Sequence, residues 1–442
     1  MNKTVISPNT RLMPVSAETN SYGHLEIGKC DTVDLAEHFG TPLWLMDYET
    51  IETAVEAVRA GLKDYPNSQV LYAGKAFLNL AMCKIVKRLG LGLDVVSEGE
   101  LYTALKAGLD GPSMYLHGNN KTDQELKMAV NNDVHVVVDS FSELSRLNEI
   151  AGVIGKQARI LVRVVPGVEP DTHEHIKTGQ HGSKFGIPLN EVEEFAGLAL
   201  SPWVKLVGVH AHIGSQTHEM EDYVEIVEIL ADTIVGLQQT YGMTLEVVDV
   251  GGGLGIAYTL EDKPLSLYDW AKGLADAVSE AFQKRLLPLP KLLVEPGRSI
   301  VGSAGVTLYT AGDVKPLANG GFYVSVDGGM ADNPRPSTYN ARYTAAIASR
   351  MDAPPSDAPV TLVGRYCESG DIIIKDADIA AEMGDLIAVF GTGAYNYSMA
   401  SNYNRTGRPA CVLIKDGTAE VIVERESNDD LLRQDRLPDW LR

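Results

Sequence analysis

Residues 70–76 read VLYAGKA, a short apolar run that gives way to a glycine and a lysine, Lys75. Seven further runs repeat the form: LGLDVVS at 91–97, MYLHG at 114–118, VHVVVDS at 134–140, ILVRVVPG at 160–167, LVGVHAHIGS at 206–215, LEVVDVGGG at 245–253 and KLLVEPGRS at 291–299. Each ends in polar or glycine-rich residues. Between them lie stretches with helical spacing of apolar residues, such as LNLAMCKIVKRLG (78–90) and EGELYTALKAG (98–108). Short apolar runs alternating with helical patterns indicate βα units and a parallel sheet. Eight such units close a (β/α)8 TIM barrel, whose active site lies at the C-terminal ends of the strands. The lysine, histidines, glycines, glutamate and arginine of these runs fall where that fold gathers them, so the chain reads as an enzyme.

At 442 residues the chain is too long for one ordinary core. After residue 300 the pattern changes to strand-like runs with Gly, Asp and Pro turns, including GVTLYTAGDV, GFYVSVDGG, DLIAVFGTGAY and ACVLIKDG. They predict a mostly antiparallel β-sandwich or barrel domain. HLEIGK (24–29) and TPLWLMD (41–47) are strand candidates ahead of the first helical pattern, and both are expected to join the sheet of that domain, the alternative being a short strand that caps the barrel. The expected layout is α/β: residues 1–45 as the N-terminal part of the β domain, 46–300 as the barrel and 301–442 as the C-terminal β domain. The acidic tail from Glu426 reads as a terminal helix or a solvated end.

Composition excludes several classes. No run approaches the roughly 18 apolar residues that cross a bilayer, so no membrane partner is expected. The first twenty residues lack an apolar signal core, which predicts a cytoplasmic location. Cys30, Cys83, Cys367 and Cys411 have no CxxC spacing, which argues against a zinc knuckle or a disulfide framework. A formal charge of −21 repels phosphates and predicts no nucleic-acid partner.

Lys75 sits among apolar residues at a strand end; it either reaches solvent or serves as a Schiff-base nucleophile once desolvated. His210 and His212 share a face in an extended strand. That spacing suits a metal, but no third histidine or carboxylate stands at a matching position, so no metal is expected. His212, followed by Gly214 and Ser215, suits an imidazole face against a flat ring with an anion nearby. Gly251 to Gly253 allow close backbone approach, and a helix N-terminus after them would favour a phosphate. No Gly-Lys-Ser/Thr follows, so this is not a Walker loop. Glu295 and Arg298 read either as a surface ion pair or as a carboxylate for a heterocyclic nitrogen beside an arginine for an anion. GQHGSKFGI (179–187) is glycine-rich enough for a mobile cover.

GHLEIG, YAGKAF, LDVVSEGELYTALKAG, HGNNKT, TGQHGSKFGI, HAHIGSQ, DVGGGLGI, EPGRSIVG, RPSTYNARY, CESGD and GAYNYSMASNYN follow in order along nearly the whole chain. As a set they resemble the fold-type III pyridoxal phosphate decarboxylases, and within them the diaminopimelate decarboxylases, carboxy-lyases of lysine biosynthesis. Many family members have asparagine where this chain has Phe77, a change that touches packing beside Lys75. The resemblance implies pyridoxal 5'-phosphate as cofactor, attached to Lys75, with His212 stacked on its ring and Glu295 paired with its nitrogen. It further implies Ser215, Gly252, Gly253, Glu295, Pro296, Gly297, Arg298 and Tyr395 around the phosphate. Arg298, Arg335, Tyr339, Glu368 and Tyr395 would line an amino-acid substrate, and Cys367 would deliver a proton. Family members are homodimers in which the residues equivalent to Cys367 and Glu368 complete the partner's site.

Three rivals stand beside this reading. One keeps the fold and cofactor but takes another basic or D-amino acid. Another is a metal-dependent hydrolase built on His210 and His212, which predicts a colourless metalloprotein. The third is a non-catalytic pyridoxal phosphate carrier, which would need neither a β domain nor Cys367.

Overall fold

The computed structural model describes residues 5–167, 184–318 and 320–442. The chain divides into two compact units: Met1–Thr10, Glu52–Ile256 and Lys263–Ile300 form the first, and Arg11–Ile51, Ala257–Asp262 and Val301–Arg442 form the second. The division departs from the expected layout at the front of the chain, where the described residues 5–10 group with the first unit.

The eight quoted runs supply eight strands of the first unit: β1 (Ser68–Ala73), β2 (Gly92–Val95), β3 (Met114–Leu116), β4 (His135–Val138), β5 (Ala158–Val165), β6 (Val204–His210), β7 (Val247–Asp249) and β8 (Lys291–Val294). Each pairs in parallel with the next, and β8 pairs with β1 to close the ring. The strands read as continuous apolar runs because interior and helical layer bury both of their faces. Leu71, Tyr115, Val137, Leu161, Val207, Val247 and Leu293 form one interior cluster. Each such side chain contributes roughly 1.5–3 kcal/mol on burial.

Several of the polar residues that end the runs start helices. Ser97 accepts the Glu100 N–H at 3.2 Å and caps Glu98–Lys106; Ser140 accepts the Glu143 N–H at 3.2 Å and caps Phe141–Ile154. A cap of this kind contributes about 1 kcal/mol by satisfying a donor the helix cannot. After β3 the chain is tied down by Lys121, whose buried ammonium donates to Gly118 O at 2.6 Å, Val137 O at 2.8 Å and Glu143 Oε1 at 2.8 Å. All three ammonium protons are thereby used.

In the second unit Leu43–Asp47, from TPLWLMD, pairs antiparallel with Gly305–Pro316 and parallel with Ala410–Lys415. Both chain ends thus build one mostly antiparallel sheet, with a second parallel pairing between Phe322–Val326 and Val360–Val363. HLEIGK departs from expectation. Its strand, Leu25–Ile27, pairs with Glu18–Thr19 and Cys30–Asp31 in a separate three-stranded sheet. Leu25 and Ile27 nevertheless pack in the same apolar cluster as Leu43, Leu45, Val306, Leu308 and Ile414. The segment joins the core and not the ladder. The acidic tail forms a short exposed helix, Asn428–Leu432. Among the described residues no helix is long and apolar enough to cross a membrane.

Two stability predictions follow from the first unit. Glu143→Leu leaves the buried Lys121 ammonium without its counter-charge and should cost about 3–5 kcal/mol. Lys121→Met added to it should be far less costly than the sum of the singles; additive losses in denaturant unfolding would contradict a coupled pair. His135, buried against Tyr115 with ring centroids 4.5 Å apart, is pushed down to about 4 by burial and by the Arg159 and Lys291 charges. Its unfolded value is about 6.5, so the unfolded chain takes up the proton first. Stability should be full above about pH 6.5 and decline towards about pH 4, by roughly 3 kcal/mol at most from this group. His135→Gln should flatten that decline in thermal melts across the window; an unchanged slope would remove His135 as its source.

Candidate active site

The strand ends deliver their side chains to one face of the ring, because parallel strands all finish on the same side. Lys75 lies just past β1 in a 3-10 turn, Gly74–Ala76, and not within the strand. Its ammonium is close enough to bear on the ionisation of Asp94, Glu100 and His212. Glu295 follows β8 directly and is buried. Arg298 opens the short helix Arg298–Val301, is also buried, and donates from Nη2 to Ser215 Oγ at 2.8 Å. The expected alternative of a surface ion pair between Glu295 and Arg298 is thereby overturned.

The two histidines of HAHIGS part company. β6 ends at His210, so the extended register that would align the rings stops before His212. His210 Nε2 lies 3.6 Å from Glu295 Oε2, whereas His212 Nδ1 accepts the Gly252 N–H at 3.2 Å. That bond leaves the proton of the neutral ring on Nε2. Burial and the Lys75 charge hold the His212 imidazole well below its usual range, so the ring is neutral. Residues 179–183 of the expected cover lie outside the described residues, as do His173 and His175, which repeat the spacing of His210 and His212 in the sequence.

The glycine run is built by lack of space. A Cβ at Gly251 would stand 2.7 Å from Ala211 O and 2.8 Å from His212 Nδ1, and one at Gly252 would stand 2.0 Å from Glu295 O. At Gly253, φ is 104° and a Cβ would meet Gly214 O at 2.5 Å. No helix follows, contrary to expectation: the chain runs on without regular structure beyond a Thr217–Leu254 bridge and a turn at 258–261, and the next helix is Leu267–Lys284. Pro296 O accepts the Ala73 N–H at 3.3 Å, and a Cβ at Gly297 would stand 2.9 Å from Ala73 Cβ. The EPGR backbone is therefore pressed against the end of β1.

Around Glu295 stand groups that the sequence placed at strand ends but gave no role. His117 Nε2 lies 2.9 Å from Glu295 Oε1 and 3.8 Å from Asp94 Oδ1. Asp249 and Arg163 are buried in the same field. Burial opposes ionisation of Glu295, but the His117 and His210 rings outweigh it and hold the carboxyl well below its usual range. Burial, reinforced by the Glu295 charge, pushes Asp249 well above its own, so Asp249 keeps its proton. The site thus holds one ionised carboxylate beside one carboxylic acid.

Such a site fits a flat, anion-bearing heteroaromatic ring. A carboxylate has about four lone-pair sites, so Glu295, with Oε1 2.9 Å from His117 Nε2 and Oε2 3.6 Å from His210 Nε2, can still accept a ring N–H. The Gly251 and Gly252 N–H groups are spent on Asp249 and His212, so the Gly253 main chain, Ser215 and Arg298 are the donors placed for an anion, and Lys75 offers an amine.

The remaining candidate residues belong to the second unit. Arg335 starts the helix Arg335–Tyr339, is buried, and donates from Nη1 to Tyr343 Oη at 2.7 Å. Its guanidinium carbon lies 4.8 Å from the centre of the Tyr258 ring and 5.6 Å from that of Tyr343. Burial works against the guanidinium charge, but Tyr258, Tyr343 and Tyr395 favour it. Tyr339 is half-buried at the end of that helix. Tyr395 has φ 64°. Cys367 and Glu368 are exposed; Cys367 N–H donates to Asn404 Oδ1 at 3.1 Å, and Tyr403 Oη donates to Glu368.

Residues 50–302 match the family described as pyridoxal-dependent decarboxylase, pyridoxal binding domain. The diaminopimelate decarboxylase of Synechocystis sp. is 46% identical, over 98% of this chain and 95% of its own length. That of Bacillus subtilis is 42% identical, over 95% and 97%. The crystal structure of M. jannaschii diaminopimelate decarboxylase in co-complex with L-lysine superposes with a TM-score of 0.90 at 34% identity, covering 99% of this chain and all of that one. The match in family, sequence and fold runs through the barrel and the β unit alike, and the chain belongs to the pyridoxal-dependent decarboxylases, among the diaminopimelate decarboxylases.

Proposed function

We infer that the chain removes CO2 from the D-configured carbon of meso-2,6-diaminopimelate to give L-lysine, with pyridoxal 5'-phosphate as cofactor, the last step of lysine biosynthesis. The observation that carries this reading is the meeting of Lys75, His212, the glycine run and Glu295 at the strand ends of a barrel matching that family. The cofactor's ring, when its nitrogen is protonated, accepts the electron pair that departing CO2 leaves on the α carbon.

Each side chain has a share in making that possible. Lys75 would hold the cofactor covalently through its amine. Neutral His212 would offer its flat face without adding a competing charge. Ionised Glu295 would keep a proton on the ring nitrogen. Ser215, Arg298 and the backbone of Gly252, Gly253 and residues 295–298 would take the phosphate, with Arg298's fork suited to an anion. Arg335, caged by tyrosines and therefore fixed in direction, would bind the distal carboxylate. Tyr339, Glu368 and Tyr395 would complete recognition of the substrate, and the Cys367 thiol would return a proton to the α carbon. Exposed Cys367 and Glu368 suit a homodimer in which each chain completes the other's site. A cytoplasmic location belongs to the same reading, as do the absence of metal, membrane and nucleic-acid partners.

Assays of CO2 release over a panel of amino acids test the substrate. Turnover should be high with meso-diaminopimelate and at least 100-fold lower with L-lysine or L-ornithine, since unpaired buried polar groups discriminate strongly. Equal turnover of ornithine would overturn the assignment. Lys75→Ala should lose the visible band of the bound cofactor and nearly all activity. Mixed with equally inactive Cys367→Ala chains, it should regain measurable activity from hybrid dimers. No recovery in dimers proven to be mixed would reject the shared site.

A further inference from the structure

We propose that His117 is the positioning residue for Glu295, fixing the plane and the charge of the carboxylate that keeps the cofactor's ring nitrogen protonated. The proposal rests on the cofactor reading above and deepens it. Glu295 is 5% exposed and His117 is 4% exposed, so bulk solvent does little to screen one from the other. His117 lies just past β3, as Glu295 lies just past β8, and its Nε2 meets Oε1 at 2.9 Å. His210 flanks the other oxygen at 3.6 Å. The two rings meet edge to face, 4.9 Å apart at 73°, so each limits how far the other turns.

The seat of His117 is itself built. Its N–H donates to Val95 O at 2.8 Å. The next residue, Gly118, has φ 100°, and its carbonyl is held by the Lys121 ammonium. Lys121 is in turn anchored on Glu143. A line of contacts thus runs from the helix after β4, through the loop after β3, to the carboxylate after β8. None of these residues need touch substrate.

The electrostatic consequence has a definite sign. Burial alone would raise the Glu295 pKa, and the histidines reverse this. His210 is itself held down to about 4 by burial and is neutral at working pH, and His117, at 2.9 Å against 3.6 Å, is the nearer ring to the carboxylate. Asp94 and Asp249 face Glu295 from β2 and β7. Arg163 and Tyr115 share the field from β5 and β3, and His212 shares it from just past β6. All of these stay in place when His117 alone is changed. Loss of the His117 contact should therefore raise the Glu295 pKa and let the ring nitrogen lose its proton.

The contact is made by Nε2, and this gives the test its geometry. A glutamine amide reaches about as far as Nε2, whereas an asparagine amide ends about where Nδ1 lies. Wild-type holoenzyme, His117→Gln and His117→Asn would be compared by the nitrogen NMR shift of ring-labelled pyridoxal phosphate and by the pH profile of kcat/KM. We expect a protonated ring nitrogen in the wild type and in His117→Gln. In His117→Asn it should be partly deprotonated, with the acid limb of the profile raised by about one pH unit, a tenfold change in the ionisation equilibrium. Gln and Asn variants that both match the wild type, or that are shifted alike, would overturn the proposal. A wild-type protein that binds no pyridoxal phosphate would overturn the cofactor reading and this inference together, whereas failure of the variants alone leaves the cofactor reading standing. Should His117→Asn not fold, His117→Gln decides by itself: a deprotonated nitrogen in it overturns the proposal and a protonated one supports it.

Discussion

The seam at which the last barrel strand meets the first is the contact on which the site depends. Leu292, Leu293 and Val294 pair with Ser68, Gln69 and Val70, and beyond the ladder Ala73 N–H still finds Pro296 O. Only this closure makes neighbours of the chain segments bearing Lys75 and Glu295. It also explains the glycine between Pro296 and Arg298, since a side chain there would collide with Ala73. A sheet left open at this seam would present the same residues to solvent with nothing to hold between them.

Closure has an electrostatic cost, because it gathers carboxylates, imidazoles, a guanidinium and an ammonium in a small volume screened from water. Separate ionisation of all of them is unaffordable at this dielectric. The protein resolves the conflict unevenly. Asp249 stays protonated and accepts the Gly251 N–H through Oδ1 at 2.9 Å. Glu295 stays charged, and His210 and His212 stay neutral. The distribution follows the distances: the group with two imidazoles beside it keeps the negative charge.

Much of this was legible in the sequence. The strands of the barrel could be read because apolar runs buried on both faces leave a strong signal, and Lys75, His212, Ser215 and Glu295 stood at their ends. Other features depended on partners far along the chain. Nothing in MYLHG tells that His117 faces a glutamate 178 positions later, although its place at a strand end was the available clue. HLEIGK carries the apolar alternation of a sheet strand, but pairing is a property of two segments, and its neighbours proved to be local. The histidine pair misled because the period-two rule holds only as long as the strand does, and β6 stops at His210. The glycine run was read with a helix behind it; its glycines serve close packing against Ala211, Gly214 and Glu295 instead.

That crowding around Gly251, Gly252 and Gly253 bears on how such a protein can change over time. A pocket wall made of side chains can be retuned one substitution at a time, each altering charge, reach or shape. A wall made of bare main chain offers no such dial, since the smallest addition displaces a neighbouring strand end. Adaptation to a new amino-acid substrate would therefore run through the side chains proposed to bind it, such as Arg335, Tyr339 and Glu368, while the place proposed for the phosphate stays as it was.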